Sequence, residues 1–417
     1  MHHFFKVATH KKLGRKRRRT RLCLSISLVA LLYIASRVGT PSIGAIQGES
    51  YQKTLKVAVQ SRGEWAHWAV DDLLQRAFPN TSILYLEPER FHQDCDIVVE
   101  GCPLFHRGHK TPCSYYDKPW IQFSAEPRAH YSEEEWCQHA KPALVRLDTS
   151  VQLDSVTQLQ GQWDETPVLW TPYACQFAID FRKQLQDRKE VLSDFLQRPY
   201  SIAWVSSNCV PQRVQMWRAI VRIAQEMGVE GVHSLGRCEN NFPVDIGRGD
   251  FYFNSKLYEK YKLVLVMENN LEPGYVTEKI VQVLASGAVP IYYGHSESVK
   301  ALFNTSSFLD VQHIWSHILD RDGQPAKQED WMQIARHIID IVLDARRMQR
   351  HLLANVFNSR ESGSIARFTT VFPPECVSVS RSEMDSHYAS PLLQHVLENI
   401  RLGTRRISPL DNQSMPL

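Results

Sequence analysis

From Leu55 onward the chain alternates short apolar, β-branched runs with amphipathic stretches. LKVAVQ (55–60), SILYLE (82–87), CDIVVEG (95–101) and WIQFSAE (120–126) have the length and composition of buried strands. A helical period carried by Trp65, Trp68, Leu73 and Phe78 separates the first two. After a less regular 127–165, VLWTPYA predicts a further strand and Phe177–Leu196 a long charged helix leading to Pro199. A second series then starts. It runs through SIAWVSS (201–207), a helix from about Gln212 to Met227, a strand near Gly231–Leu235, KLVLVME (262–268), a helix from Thr277 to Ala285, and AVPIYYG (288–294). Buried strands alternating with helices predict a mostly parallel sheet in each half, two α/β units facing across a cleft. Ligands of such sheets sit at the carboxyl ends of the strands.

Charge changes the picture at the N-terminus. Residues 1–37 hold ten Lys/Arg and no acid, which leaves 38 basic against 45 acidic residues for the remainder. The overall +3 therefore gives no reason to expect nucleic-acid binding by the folded part. The basic run Lys11–Arg21 abuts Leu22–Ser36, which carries no charge, and together they predict a membrane anchor. Fifteen helical residues rise about 22 Å, short against a hydrocarbon core of about 30 Å, so flanking residues must be drawn in. The positive-inside bias puts Met1 in the cytosol and the rest in the lumen. A cleaved signal peptide and a transit peptide are the competing readings; a segment apolar all round fits an amphipathic transit peptide poorly.

Eight of the nine cysteines lie beyond that segment, at spacings that match no zinc pattern and suit an oxidising compartment. Asn80, Asn304 and Asn412 each open an N-x-S/T acceptor for glycosylation, consistent with a lumenal chain.

The most informative stretch is Lys262–Gly294. A buried strand delivers Glu268 and Asn269 to its carboxyl end, Pro273-Gly274 turns the chain, and Tyr275, Glu278 and Lys279 enter the first turn of a helix. Unpaired helix N–H groups and an ammonium favour a diphosphate there, and a carboxylate can accept from ribose hydroxyls. The plainer reading is that Thr277 caps the helix and Glu278 complements its dipole.

ENNLEPGYVTEK followed by ASGAVPIYYG resembles the donor motif of the α1,3-fucosyltransferase family, with Asn270 where Ser is usual. IAWVSSNCVPQRVQMWRAI (202–220) and VHSLGRCEN (232–240) are similar to two further blocks of that family, in the same order. The resemblance covers roughly 200–295, with a shorter echo near 118–128. It implies a GT-B arrangement of two Rossmann-like domains, no obligatory cofactor, and GDP-fucose as donor, Mn²⁺ being at most stimulatory. It also implies a glycan acceptor on glycoprotein or glycolipid, fucosylated at O3 of N-acetylglucosamine with inversion, and residence as a Golgi type II membrane protein.

By residue, it implies that Arg213 and Lys279 hold the donor diphosphate, that Asn269 and Tyr275 contact the donor, and that Glu278 accepts from ribose or fucose hydroxyls. In WIQFSAEPRAH (120–130), Glu126 stands where the family has its strand-end carboxylate, although the sequence reads Ala-Glu-Pro. A carboxylate there could deprotonate the acceptor hydroxyl. Glu87, Glu89 and Glu100 are its rivals.

The expected organisation is a cytosolic tail (1–21), an anchor (22–37), a stem (38–54), an acceptor-side domain (55–196), a donor domain (197–365), and an extension without an assigned role (366–417). Asp94-Cys-Asp96 and Asp320-Arg-Asp322 spell a D-x-D manganese motif, but both sit in turn-like contexts, and Arg213 with Lys279 could replace a metal in stabilising the leaving group. Another GDP-sugar transferase, or an inactive lumenal glycan-binding protein, remain the alternatives.

Overall fold

Two parallel sheets carry the chain. The first contains β1 (Thr54–Gln60), β2 (Ser82–Leu86), β3 (Ile97–Gly101), β4 (Trp120–Ser124), β5 (Val145–Asp148) and β6 (Val168–Trp170), ordered β2-β1-β3-β4-β5-β6. The second contains β7 (Tyr200–Trp204), β8 (Val232–Ser234), β9 (Tyr261–Met267), β10 (Val289–Tyr293) and β11 (Leu309–Asp310), ordered β11-β10-β9-β7-β8. Every neighbouring pair is parallel. In both sheets the first strand lies between the second and third, so the order reverses between β1 and β3 and again between β7 and β9. These are the switch points beside which open α/β sheets leave a crevice.

This computed structural model describes residues 54–60, 67–86, 95–101, 118–124, 143–149, 166–186, 192–243, 251–319, 327–357 and 391–405. The expected anchor and residues 38–53 of the stem lie outside them, while Thr54, the last residue assigned to the stem, opens β1; Glu87, Glu89, Glu126, Asp94, Asp320, Asp322 and Asn412 also lie outside. Among the described residues no helix is long and apolar enough to cross a membrane. Asn80 is exposed in the turn after α1 (His67–Ala77), and Asn304 accepts from Ser306 N–H at the start of a short 3-10 turn.

The strands form because their side chains have two apolar faces to cover. All five residues of β10 and six of seven in β9 are buried, the pattern of a sheet packed on both sides. On one side of the second sheet, α5 (Pro211–Glu226) packs against α10 (Gln328–Leu343) over Trp204, Trp217, Ile220 and Ile338. Trp204 and Trp217 have ring centroids 5.4 Å apart.

On the other side, α2 (Tyr173–Asp180) packs against α7 (Glu278–Ala285), and a single apolar cluster runs from Ile121 and Leu147 through Phe177 to Val281 and Leu284. The two sheets therefore share a core.

Three expectations need adjustment. The strand in VLWTPYA stops at Trp170, because Pro172 supplies a helix start and the chain is helical from Tyr173. The helix expected over 177–196 begins four residues earlier, and hydrogen bonds from Phe181 N to Phe177 O and Leu185 N to Phe181 O carry it across a one-residue turn into α3 (Arg182–Gln186). A separate α4 (Leu192–Gln197) follows. Finally, β5 lies inside the stretch read as irregular; its VRLD is interrupted by Arg146, which pairs with the buried Asp148 at 3.1 Å.

Arg198, just beyond α4, ties the second half together. Its guanidinium donates to Tyr261 O at the start of β9 and to Ser286 O at the end of α7, both at 2.7 Å, and lies over the Phe195 ring. Burial pulls its pKa down to about 10, partly offset by Glu259 and Asp194. Hydrogen bonds to charged groups contribute about 1.5–3 kcal/mol each, so Arg198→Ala should lower folding stability by roughly 3 kcal/mol. Urea denaturation followed by tryptophan fluorescence measures this; a midpoint equal to that of the unsubstituted chain would show that water replaces the guanidinium.

The C-terminal segment acquires a place. α12 (Pro391–Arg405) buries Leu393, Val396, Leu397 and Ile400 in the shared core, and Arg401 donates to Ala77 O at 2.9 Å and Arg76 O at 3.2 Å. It thus caps the end of α1, satisfying carbonyls that have no partner within that helix.

Candidate functional site

The carboxyl ends of β7 and β9 flank the switch point of the second sheet, and the loops that leave them are held in one place. After β7 the chain runs through Ser206 and Asn208 into α5. After β8 it turns at Gly236, where an added Cβ would lie 2.4 Å from the Ser206 backbone, so only glycine allows the two loops to approach. Cys209 and Cys238 form a disulfide across them, and Cys238 N donates to Ser206 O at 3.0 Å. The two cysteines beside the sequence blocks are thus structural partners.

Arg213 sits in the first turn of α5, only 4% exposed. Its Nη2 donates to Met267 O at 3.0 Å and Asn269 Oδ1 at 2.6 Å, and Nη1 reaches Asn208 O at 3.5 Å. Nε has no hydrogen-bond partner. Burial lowers its pKa, with Glu268 and Tyr275 opposing, and an arginine remains a cation under these conditions. Asn269 extends the chain of contacts, its Nδ2 lying 3.5 Å from the Tyr275 hydroxyl.

Glu268 is the hub of the other half. It is buried and accepts from Thr277 N and Thr277 Oγ1, both at 2.8 Å, and from Lys279 Nζ at 3.3 Å. Lys279 also donates to Thr277 Oγ1 at 2.9 Å and pairs with Glu278 at 3.3 Å. Burial alone would lower the ammonium pKa, but the Glu278 and Glu268 carboxylates outweigh it and hold it raised. The plainer reading of Thr277 as a capping residue does not hold: it precedes α7 in extended conformation but makes no side-chain cap bond. Its hydroxyl is committed to Glu268 and Lys279, and the side chain that meets the start of the helix is instead Glu268, through Thr277 N.

All five donor-side residues read from the sequence are therefore brought together: Arg213 with Asn269 and Tyr275, and Lys279 with Glu278, the two groups joined through the consecutive Glu268 and Asn269. Sequence reasoning placed Glu268 at the strand end without giving it a role. It also passed over Ser298 and His295. Ser298, on α8 (Ser296–Leu302), is fully buried; its Oγ accepts from Gly274 N at 2.6 Å and lies 2.8 Å from His295 Nδ1. Only the placement of His295 directly after the strand-end Gly294 hinted at this. On the first sheet, β4 ends two residues before Glu126, and β3 contains Glu100. Asp96, half of one D-x-D, accepts from Lys56 N at 2.8 Å, a strand-end contact. No cluster of metal-ligating side chains occurs among the described residues.

Burial lowers the pKa of His295, opposed by Glu297 and Asp310 and assisted by Lys300. Its neutral Nδ1 also accepts from Ser298 N, capping α8. A histidine depressed in the fold binds fewer protons than in the unfolded chain, so its stabilising contribution is complete above the unfolded value, about 6.5, and declines as pH falls below it. Melting temperature should therefore fall between pH 7.5 and pH 5.5. His295→Asn, which retains a capping oxygen, should flatten that fall; an unchanged slope would assign it to other histidines.

Fold and site together define an α/β protein of two switch-point sheets, with a basic and acidic cluster at the mouth of the second. Residues 196–317 match the family described as Glycosyltransferase family 10 (fucosyltransferase) C-term, so this stretch is a fucosyltransferase-family domain, and it contains all five donor-side residues. The chain is 44% identical over 119 residues to the "Alpha-(1,3)-fucosyltransferase FucT" of Helicobacter pylori, covering 28% of this chain and 22% of that one. It is 31% identical over 152 residues to the "Alpha-(1,4)-fucosyltransferase" of Arabidopsis thaliana, covering 31% of this chain and 36% of that one. The matches thus span about a third or less of those relatives' length. A crystal structure of an alpha1,3-fucosyltransferase aligns with a TM-score of 0.50 at 16% identity over 84% of this chain and 92% of that one, a likeness of fold.

Proposed function

We propose that this chain transfers L-fucose from GDP-fucose to a hydroxyl of a glycan on glycoprotein or glycolipid, at O3 of N-acetylglucosamine, with inversion. The carrying observation is the position of Arg213 at the β7/β9 switch point, buried, cationic and held in place by Met267 O and Asn269 Oδ1, inside a fucosyltransferase-family domain. In a single displacement the acceptor oxygen attacks fucose C1, the bond from C1 to phosphate oxygen breaks, and GDP leaves with the added charge. Arg213 and Lys279 oppose that charge. Glu126, beyond the carboxyl end of β4, takes the acceptor proton. No divalent ion is needed in this scheme.

One adjustment follows from the geometry. An ammonium has three donors, and those of Lys279 are already directed at Glu268, Thr277 and Glu278. A phosphate oxygen can reach it only by displacing one of them. Glu278 is the natural one to leave, because ribose or fucose hydroxyls offer its carboxylate new donors. The setting proposed is a Golgi membrane, with an N-terminal anchor and the catalytic part lumenal; the disulfide and exposed Asn80 suit it.

The test is turnover by the full chain in detergent, with GDP-fucose and GDP-mannose as donors and N-glycan core and lactosamine acceptors. Fucose transfer to one acceptor class is expected. Transfer from GDP-mannose alone would move the chain to another donor, and GDP binding without any transfer would make it a glycan-binding relative.

A further inference from the structure

The loop between β9 and α7 is gripped from both halves of the fold at one residue. Gly274, at φ +86°, has its N–H bound by Ser298 Oγ of the second half at 2.6 Å and its C=O bound by Trp170 Nε1 at the end of β6, in the first, at 2.9 Å. Two residues on, Val276 O accepts from Ala174 N of α2 at 3.0 Å. Trp170 and Ser298 are both essentially inaccessible to water, so neither bond has a solvent substitute. Tyr275 lies between the two gripped positions, and Thr277, Glu278 and Lys279 follow directly.

We propose that Trp170 and Ser298 are positioning residues that clamp Gly274 between the two sheets, holding the donor-binding side chains in fixed register with the first sheet's carboxyl edge. The functional consequence rests on the reading of this site as a GDP-fucose seat. Neither residue touches the nucleotide in this scheme; each acts through the backbone of Gly274. The clamp would make donor seat and acceptor side a single body, so that a sugar bound at one edge meets a hydroxyl delivered from the other without a search over relative orientations. Both bonds end on one residue, on the two peptide groups that flank the Gly274 Cα, so loss of either frees the same segment and their effects cannot add as those of independent sites would.

The test uses the full chain with Trp170→Phe, Ser298→Ala, the double variant, Ser298→Thr to restore the hydroxyl, and Trp217→Phe as a buried-tryptophan control in the other apolar cluster. Amide exchange over 271–277 should quicken in both single variants and not in Trp217→Phe. GDP affinity should fall about tenfold in each single variant and by little more in the double, with recovery in Ser298→Thr. Exchange and GDP affinity unchanged in both single variants would overturn the clamp, as would a hundredfold, additive loss in the double variant or equal loosening in Trp217→Phe. Should the unsubstituted chain bind no GDP, the donor reading fails while the exchange data still decide whether the clamp exists.

Discussion

Replacing Arg213 with alanine is expected to weaken GDP binding by about 2–5 kcal/mol, the cost of removing one partner from a desolvated charge contact. The side chain is a buried fork that already spans Met267 O, Asn269 Oδ1 and Asn208 O, and it is therefore oriented before any ligand arrives. A preformed guanidinium spends little on ordering when a phosphate docks. Arg213→Lys keeps the charge but replaces the planar, preorganised fork with a point charge on a flexible stem, so it should recover only part of the loss. Calorimetric titration with GDP measures both, and urea denaturation alongside separates binding from folding, because truncation also leaves Met267 O without its donor. Wild-type affinity in both variants would mean that the diphosphate sits elsewhere.

Glu126→Gln is the second large effect. If this carboxylate takes the acceptor proton, the amide keeps shape and donor affinity but removes proton acceptance, and turnover should fall by about 10²–10⁴ with GDP binding near wild type. The rising limb of the pH profile of kcat/KM should disappear with it. A Gln variant of wild-type rate would pass the role to Glu87, Glu89 or Glu100. Glu100 has a topological claim of its own, since it lies in β3, beside the switch point of the first sheet.

The second half of the molecule was more legible in the sequence than the first, for a physical reason. Strands buried on both faces, such as KLVLVM and VPIYY, are uninterrupted apolar runs, and their parallel pairing follows from the helices between them. β5 escaped because Arg146 breaks its run, and a half-buried ion pair within one strand leaves no periodic trace. The helices from 296 to 353 drew no notice because no chemistry pointed there, although WMQIARHIIDIV shows a clear helical period. At the site, the residue types that meet a diphosphate were visible as a motif. Glu268 as hub, Thr277 turned away from capping, and the grip of Trp170 on Gly274 were not, because each depends on contacts between segments 9, 11 or 104 residues apart.

The packing of α12 against α1 bears on the order in which the chain can mature during synthesis. The second sheet has all its strands once Asp310 has emerged, and its helical cover once α11 (Ala345–Leu353) follows. The first sheet, although translated earlier, lacks Leu393, Val396, Leu397 and Ile400 until the helix at Pro391–Arg405 arrives. Domains commonly fold as units from the N-terminus on the ribosome. Here the earlier half has its strands with α1 and α2 against them but lacks the apolar side chains of one of the last elements made, and a message truncated before codon 391 would leave a complete second sheet joined to a first sheet short of part of its cover.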